Sequence, residues 1–376
     1  VGALSNTPLS ERPGERLTGQ IPSLDGLRAV SILLVVLCHV ASTGNSPLAS
    51  HASWYHKAAI GVDVFFVISG FLITTLLLRE LATKGRVSLT GFWKRRALRI
   101  LPAFFVYLGV LALLDSAGYV NVLPRDWAAA TTYTVNFFAP VTHVVGHIWS
   151  LSVEEHFYVV WPILFILAGA TRAAKLAFLA LLVEPVIRGL TFRQGTFDID
   201  FVTFARYDAI AAGCLLAMFA QTPSKRALLA RLEARPMTYF FAALATLAVS
   251  VFVLSQSGKY KIFCYPLVNA LAICVMVWTA IRCPWTRVGR FLNAAPLAWV
   301  GRLSYSLYLW QQLFLDPTNS ARWVCRFPQN VILSFSAAVA SYYLVERPMM
   351  RFRKRHRAEA EPTAIIEAEP PMRLAA

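Results

Sequence analysis

The sequence predicts an all-α protein: a polytopic membrane bundle of about ten transmembrane helices with both termini cytoplasmic. Three observations carry this. Of 376 residues, 57% are hydrophobic and only 15% charged, whereas a soluble domain carries about a quarter charged residues. Mean hydropathy is +0.54. Apolar runs of spanning length follow one another near 28–44, 59–80, 100–118, 148–169, 174–191, 206–221, 236–256, 263–282, 295–316 and 330–347. Ten spans of about 20 residues use roughly 200 positions, which leaves short loops and no sizeable soluble domain.

The net charge of +16 is spread in short blocks between the apolar runs. Lys84, Arg86, Lys94, Arg95, Arg96 and Arg99 form one block, and Arg347, Arg351, Arg353, Lys354, Arg355 and Arg357 another. This is the positive-inside pattern, not the basic patch of a nucleic-acid binder. With the chain starting inside, ten spans place 83–99, 171–175, 222–235, 282–290 and the tail after 346 on one side. The stretch from Trp127 to Val145 is apolar too, but as a full span it would invert the next basic loop. It reads as a re-entrant or surface piece on the outer side.

Residues 1–23 read as a polar cytoplasmic tail, 24–350 as the membrane domain, and 351–376 as a basic, then disordered, cytoplasmic tail. A signal peptide cleaved near Ala41-Ser42 fits by length, yet a buried histidine does not suit its apolar core. The six cysteines form no C-x-x-C pair and lie mostly in apolar runs, which argues against a disulfide framework or any metal site.

Ionisable side chains in spans usually face the bundle interior and mark a functional path. Arg28 opens the first span and His39 lies eleven residues on, about 20° past three full turns and so on the same face, roughly 16.5 Å along the axis. Alternating topology puts His39, Asp63, Glu154 or Glu155, Arg206 and Asp208 at the outer level, and Arg28, Arg95, Arg96 and Arg99 at the inner one. An imidazole can take a hydroxyl proton and a carboxylate can orient it. Arg96 and Arg99, at i and i+3, can meet one phosphate-bearing ligand. Each feature also has a plainer reading. A membrane histidine can simply bond neighbouring helices, terminal arginines can mark topology, and Asp63 or a glutamate can neutralise Arg206. Adjacent Glu154 and Glu155 stand 100° apart, so only one is expected to face the cluster. Ser69-Gly70 reads as a small-residue helix contact.

In this order the segments resemble the bacterial acyltransferase-3 family of integral membrane O-acyltransferases. The matching pieces are Leu24-Asp25-Gly26-Leu27-Arg28 with His39, Gly61 to Ile73, and Arg96-Ala97-Leu98-Arg99. Trp149 to Glu155, Arg206-Tyr207-Asp208 and Ser304 to Trp310 complete the set. Two positions depart from that pattern: His156 stands where glutamine usually follows the two glutamates, and Gln311 where histidine often follows Tyr-Leu-Trp. The resemblance implies a ten-helix bundle, an acyl-CoA donor and an extracytoplasmic glycan acceptor. It also implies an essential catalytic His39, with Arg28, Arg96 and Arg99 at the donor. Asp63, Glu154 and Glu155 join His39 as candidate catalytic orienters, and Arg206, Asp208 and Tyr305 are candidates for the acceptor end.

The expectation is an O-acyltransferase of the bacterial cytoplasmic (inner) membrane. It would carry an acetyl group from acetyl-CoA along the Arg28–His39 face to a saccharide such as exopolysaccharide or lipopolysaccharide O-chain. Without the soluble esterase-like domain fused to some members, it would act alone or with a separate periplasmic partner. The competing class is a transporter or flippase for a sugar-containing or lipid-linked substrate, against which the chain offers no inverted repeat.

Overall fold

The computed structural model describes residues 22–51, 56–138, 140–194 and 206–352. The expected tails therefore lie outside the described residues, save that Pro22 opens the first helix and Arg351 and Phe352 are helical. Among the described residues there is no strand. The first three long helices are α1 (Pro22–Ser42), α2 (Gly61–Lys84) and α3 (Leu89–Ser116). Gly85 ends α2 in the left-handed conformation, φ 66°, which only glycine adopts without penalty. Ser88 then caps α3 by accepting the Gly91 N–H at 3.1 Å.

Asp115 and Asp126 shape the segment after α3. Asp115 accepts Val122 N–H at 3.0 Å and Trp127 Nε1 at 3.1 Å. Asp126, buried on the short helix α4 (Pro124–Thr131), accepts the N–H and hydroxyl of Thr142 at 2.8 and 2.6 Å and Arg125 Nε at 3.3 Å. The stretch 127–145 is thereby folded into α4 and single turns at Val135–Phe137 and His143–Gly146. None of these has spanning length.

The predicted spans 148–169 and 174–191 lie in one helical run, α5 (Ile148–Gln194), broken at Gly169 (φ 73°, ψ 161°). Trp149 stacks 5.5 Å from the Arg206 guanidinium, and Glu184 lies within electrostatic range of the same arginine. A straight helix would hold residues 149 and 184 about 52 Å apart, so the chain turns back at Gly169.

α6 (Asp208–Gln221) occupies the expected span 206–221. Its 14 residues cover about 21 Å, short of the roughly 30 Å hydrocarbon core, and every residue from Asp208 to Met218 is buried. α7 (Pro223–Ala234), α8 (Pro236–Phe252), α9 (Tyr265–Arg282), α10 (Ala295–Phe314) and α11 (Gln329–Ser341) complete the set. α11 continues through a π-helical turn, Tyr342–Glu346. Among the described residues, six helices are long and apolar enough to cross a membrane: Ser23–Ser42, Lys57–Lys84, Leu89–Ser116, His143–Thr191, Pro236–Gln256 and Tyr265–Arg282.

Cross-contacts give relative directions. Asp25 meets Gly301 and His39 meets Gln312, so α1 and α10 run parallel. Ile100 with Tyr305 and Tyr107 with Trp310 set α3 parallel to α10. Phe66, Ser69 and Thr74 of α2 meet Trp149, Glu154 and Trp161 in that order, which makes α2 parallel to the first arm of α5. Asp63 with Arg206 and Thr74 with Cys214 align α6 with α2. These relations match the predicted alternation of spans.

Backbones approach closely where glycine permits it. A Cβ on Gly70 would overlap the Ile210 carbonyl, and one on Gly213 the Val67 carbonyl. Gly213→Ala should therefore lower stability by about 1–3 kcal/mol through overpacking, read as an earlier thermal unfolding midpoint in detergent; an unchanged midpoint would contradict the tight crossing.

Burial by itself pushes the Asp126 carboxyl up, but the bonds from Thr142 and Arg125 outweigh it and hold it below the usual carboxylate range. A depressed folded-state value stabilises fully above the unfolded value of about 3.9 and is lost as pH falls through the folded one. Acidification below about pH 4 should lower the unfolding midpoint of the natural protein more than that of Asp126→Asn; equal acid sensitivity would remove Asp126 from the account.

Candidate functional site

Three polar groups stand inside the bundle. The first lines a cavity of about 800 Å³, counted with its open mouth, between α1, α2, α3, α5 and α10. Arg28 enters it from the first turns of α1, and Arg96 and Arg99 from one face of α3. Arg96 lies 4.5 Å over the Tyr158 ring, a cation–π contact worth most when water is excluded. Arg99 is within electrostatic range of Arg28, Arg96 and Glu346. Glu346, buried on the π-helical turn, accepts the Ser306 hydroxyl. Three converging cations in a desolvated space favour a ligand with several negative charges.

Glu154 and Glu155 line this same cavity, which corrects their expected outer level beside His39. The helix carrying them starts at Ile148, so Glu154 lies about 9 Å along its axis and reaches the arginines. Glu154 is within electrostatic range of Arg96 and Arg28, and Glu155 of Arg96. Both side chains face the cavity, not one, because it spans the 100° between them. Ser69 donates to Glu154 Oε1 at 2.6 Å, and the Tyr158 hydroxyl lies 3.3 Å from Oε2 and 3.2 Å from Ser69 Oγ. The serine expected as a mere helix contact is thus part of the lining. Tyr305, expected at the acceptor end, also lines the arginine cavity and donates its hydroxyl to the Ile100 carbonyl at 2.9 Å.

The second group surrounds His39, which is half-buried near the end of α1. Gln312 of α10 places Nε2 3.4 Å from His39 Nε2. Gln312 Oε1 accepts the His147 backbone N–H at 3.0 Å and lies 3.1 Å from His147 Nδ1. The His143 ring sits edge-on at 6.5 Å from His39, its Nε2 3.1 Å from the Leu315 carbonyl. His39 is not among the residues that line the cavity and stands beyond it, in a cluster of histidines. Two cavity residues join them: Tyr308 donates to the His147 carbonyl at 3.0 Å, and Ser150 lies 2.5 Å from the Tyr308 hydroxyl. Sequence reasoning passed over His147 and Gln312. The signal was the helical stripe Gly301, Tyr305, Tyr308 and Gln312, four positions on one face of α10.

The third group takes Asp63, Arg206 and Asp208. Arg206 donates to Asp63 at 2.6 Å and lies over Trp149 at 5.5 Å and Phe66 at 5.9 Å. Asp208 is buried, within electrostatic range of Glu184, which accepts Arg188 Nε at 2.5 Å. Asp63 is therefore an ion-pair partner of Arg206, the plainer of its two readings. Glu184 and Arg188 were missed because they sit in an apolar run, though their i, i+4 spacing announces a pair.

Comparison with known proteins places this geometry. The acyltransferase-3 profile, described as an acyltransferase domain, matches residues 21–346. "Putative peptidoglycan O-acetyltransferase YrhL" of Bacillus subtilis (strain 168) is 28% identical over 363 residues, which cover 88% of this chain and 55% of that protein. "O-acetyltransferase OatA" of Staphylococcus aureus (strain NCTC 8325 / PS 47) is 26% identical over 362 residues, covering 88% and 57%. The chain spans about half the length of the curated relatives it matches. No solved structure matches it significantly. By the extent of the profile match, with the arginine cavity and His39 inside it, this chain belongs to the acyltransferase-3 family.

Proposed function

We propose that the protein is a membrane-embedded O-acyltransferase, taking an acetyl group from cytoplasmic acetyl-CoA to a hydroxyl of an extracytoplasmic saccharide. The observation that carries it is the cavity in which Arg28, Arg96 and Arg99 converge on α1 and α3, with His39 eleven residues beyond Arg28 on the same helix face. Coenzyme A offers phosphates to such a cluster, and roughly 16.5 Å along the helix suits an extended thioester arm reaching the imidazole. Peptidoglycan in the name of the Bacillus relative favours a polysaccharide acceptor, among which exopolysaccharide and O-chain belong to the same chemical class. Basic loops and alternating helix directions support ten crossings of a bacterial cytoplasmic membrane with both termini inside.

In this reading His39 Nε2 takes the acceptor's hydroxyl proton, the oxygen attacks the thioester carbonyl, and the CoA thiolate leaves with that proton. Alternatively the same nitrogen attacks the thioester carbonyl and displaces the CoA thiolate, and the acceptor hydroxyl then takes the acyl group from the imidazole, its proton passing to the thiolate. Glu154 and Glu155 balance the arginines and order the donor end, while Arg206 and Asp208 shape the acceptor end.

Purified protein in detergent should hydrolyse or transfer acetyl from acetyl-CoA, which a carrier would not do. His39→Ala should lower turnover by at least about a hundredfold while acetyl-CoA still binds. Arg96→Ala with Arg99→Ala should weaken acetyl-CoA binding, measured by calorimetry. A folded His39→Ala protein with natural turnover would refute the catalytic assignment, and unchanged binding by the double variant would refute the donor site.

A further inference from the structure

Gln312 lies between two imidazoles, and its amide can face only one way. Its Oε1 accepts the His147 backbone N–H at 3.0 Å, and a backbone N–H can only donate. The carbonyl end is thus pinned to His147, and the NH₂ end is turned to His39, 3.4 Å from its Nε2. An amide NH₂ accepts nothing. The contact is a hydrogen bond when the His39 nitrogen it faces has no proton, that is, in the tautomer with the ring hydrogen on Nδ1. By the same logic His147 Nδ1, 3.1 Å from Gln312 Oε1, is protonated.

On the acyltransferase reading above, we infer that Gln312 is a positioning residue that keeps His39 Nε2 unprotonated and presented to the reacting groups. Both roles open to His39, proton acceptor or acyl carrier, begin from a lone pair on that nitrogen. The 3.4 Å contact is long for a hydrogen bond, so an incoming hydroxyl or thioester can replace it without breaking a strong interaction. The chain of bonds from Gln312 through His147 to Tyr308 ties this arrangement to the cavity wall. His39 is thereby oriented by an amide on α10.

Gln312→Glu separates positioning from packing. Glutamate keeps the size and an oxygen for the His147 N–H, but it turns an acceptor toward His39 and draws a proton onto Nε2. Full-length Gln312→Glu in detergent should unfold at the natural temperature and keep KM for acetyl-CoA within about twofold, while kcat falls at least about tenfold. Gln312→Met, which loses the contacts to His147 and to His39 alike, should show the same split and serves if the glutamate variant does not fold. Natural kcat in either folded variant overturns the inference, as does a kcat loss matched by an equal rise in KM. If the natural protein turns over acetyl-CoA no faster than His39→Ala, the acyltransferase reading falls and takes this inference with it. An active natural protein with an equally active Gln312→Glu sinks the inference alone.

Discussion

The parallel packing of α1 against α10 is the contact on which the other features depend. At one end Gly301 leaves room for the Asp25 carbonyl; at the other Gln312 reaches His39. Between them Tyr305 and Tyr308 wall the arginine cavity. Because both helices advance at the same rise per residue, a register set at Gly301 carries up to Gln312. Any larger residue at Gly301 would shift the polar face of α1 along its whole length.

A membrane interior makes each isolated charge expensive, and the bundle answers by sorting charges into sets. Arg206 is matched by Asp63, and Arg188 by Glu184, at bonding distance. In these pairs each cation has a carboxylate directly bonded to it. The arginine cavity is different in kind. Its glutamates lie within electrostatic range of the cations, yet Glu154 spends its bonds on Ser69 and Tyr158. Such partial neutralisation lets three guanidinium groups coexist around one cavity.

The histidine cluster follows a third principle. His39, His143 and His147 gather where a carboxylate partner for His39 was expected, and the neighbour contributed by α10 is neutral. An amide NH₂ offers the imidazole a hydrogen and brings no negative charge.

The helical class, the spanning runs and the identity of the polar residues could be read from the sequence, because hydrophobic period and lipid thickness act locally. The shared face of Arg28 and His39, and of Arg96 and Arg99, followed from helix geometry within one element. What the tertiary structure alone decided was which faces meet. Glu154 could be placed at the arginines only once Ile148 was known to start its helix, and of the two readings open for Asp63 the pairing with Arg206 was decided only by the crossing of α2 and α6 at Gly70 and Gly213. The stripe Gly301, Tyr305, Tyr308 and Gln312 marks one face of α10 in the chain, but what Gln312 meets there arises between α10, α1 and the turn at His147, across segments that no local periodicity relates. Sequence determined the groups available to the site, and packing decided their partners, since partnership depends on distances between elements that are remote along the chain.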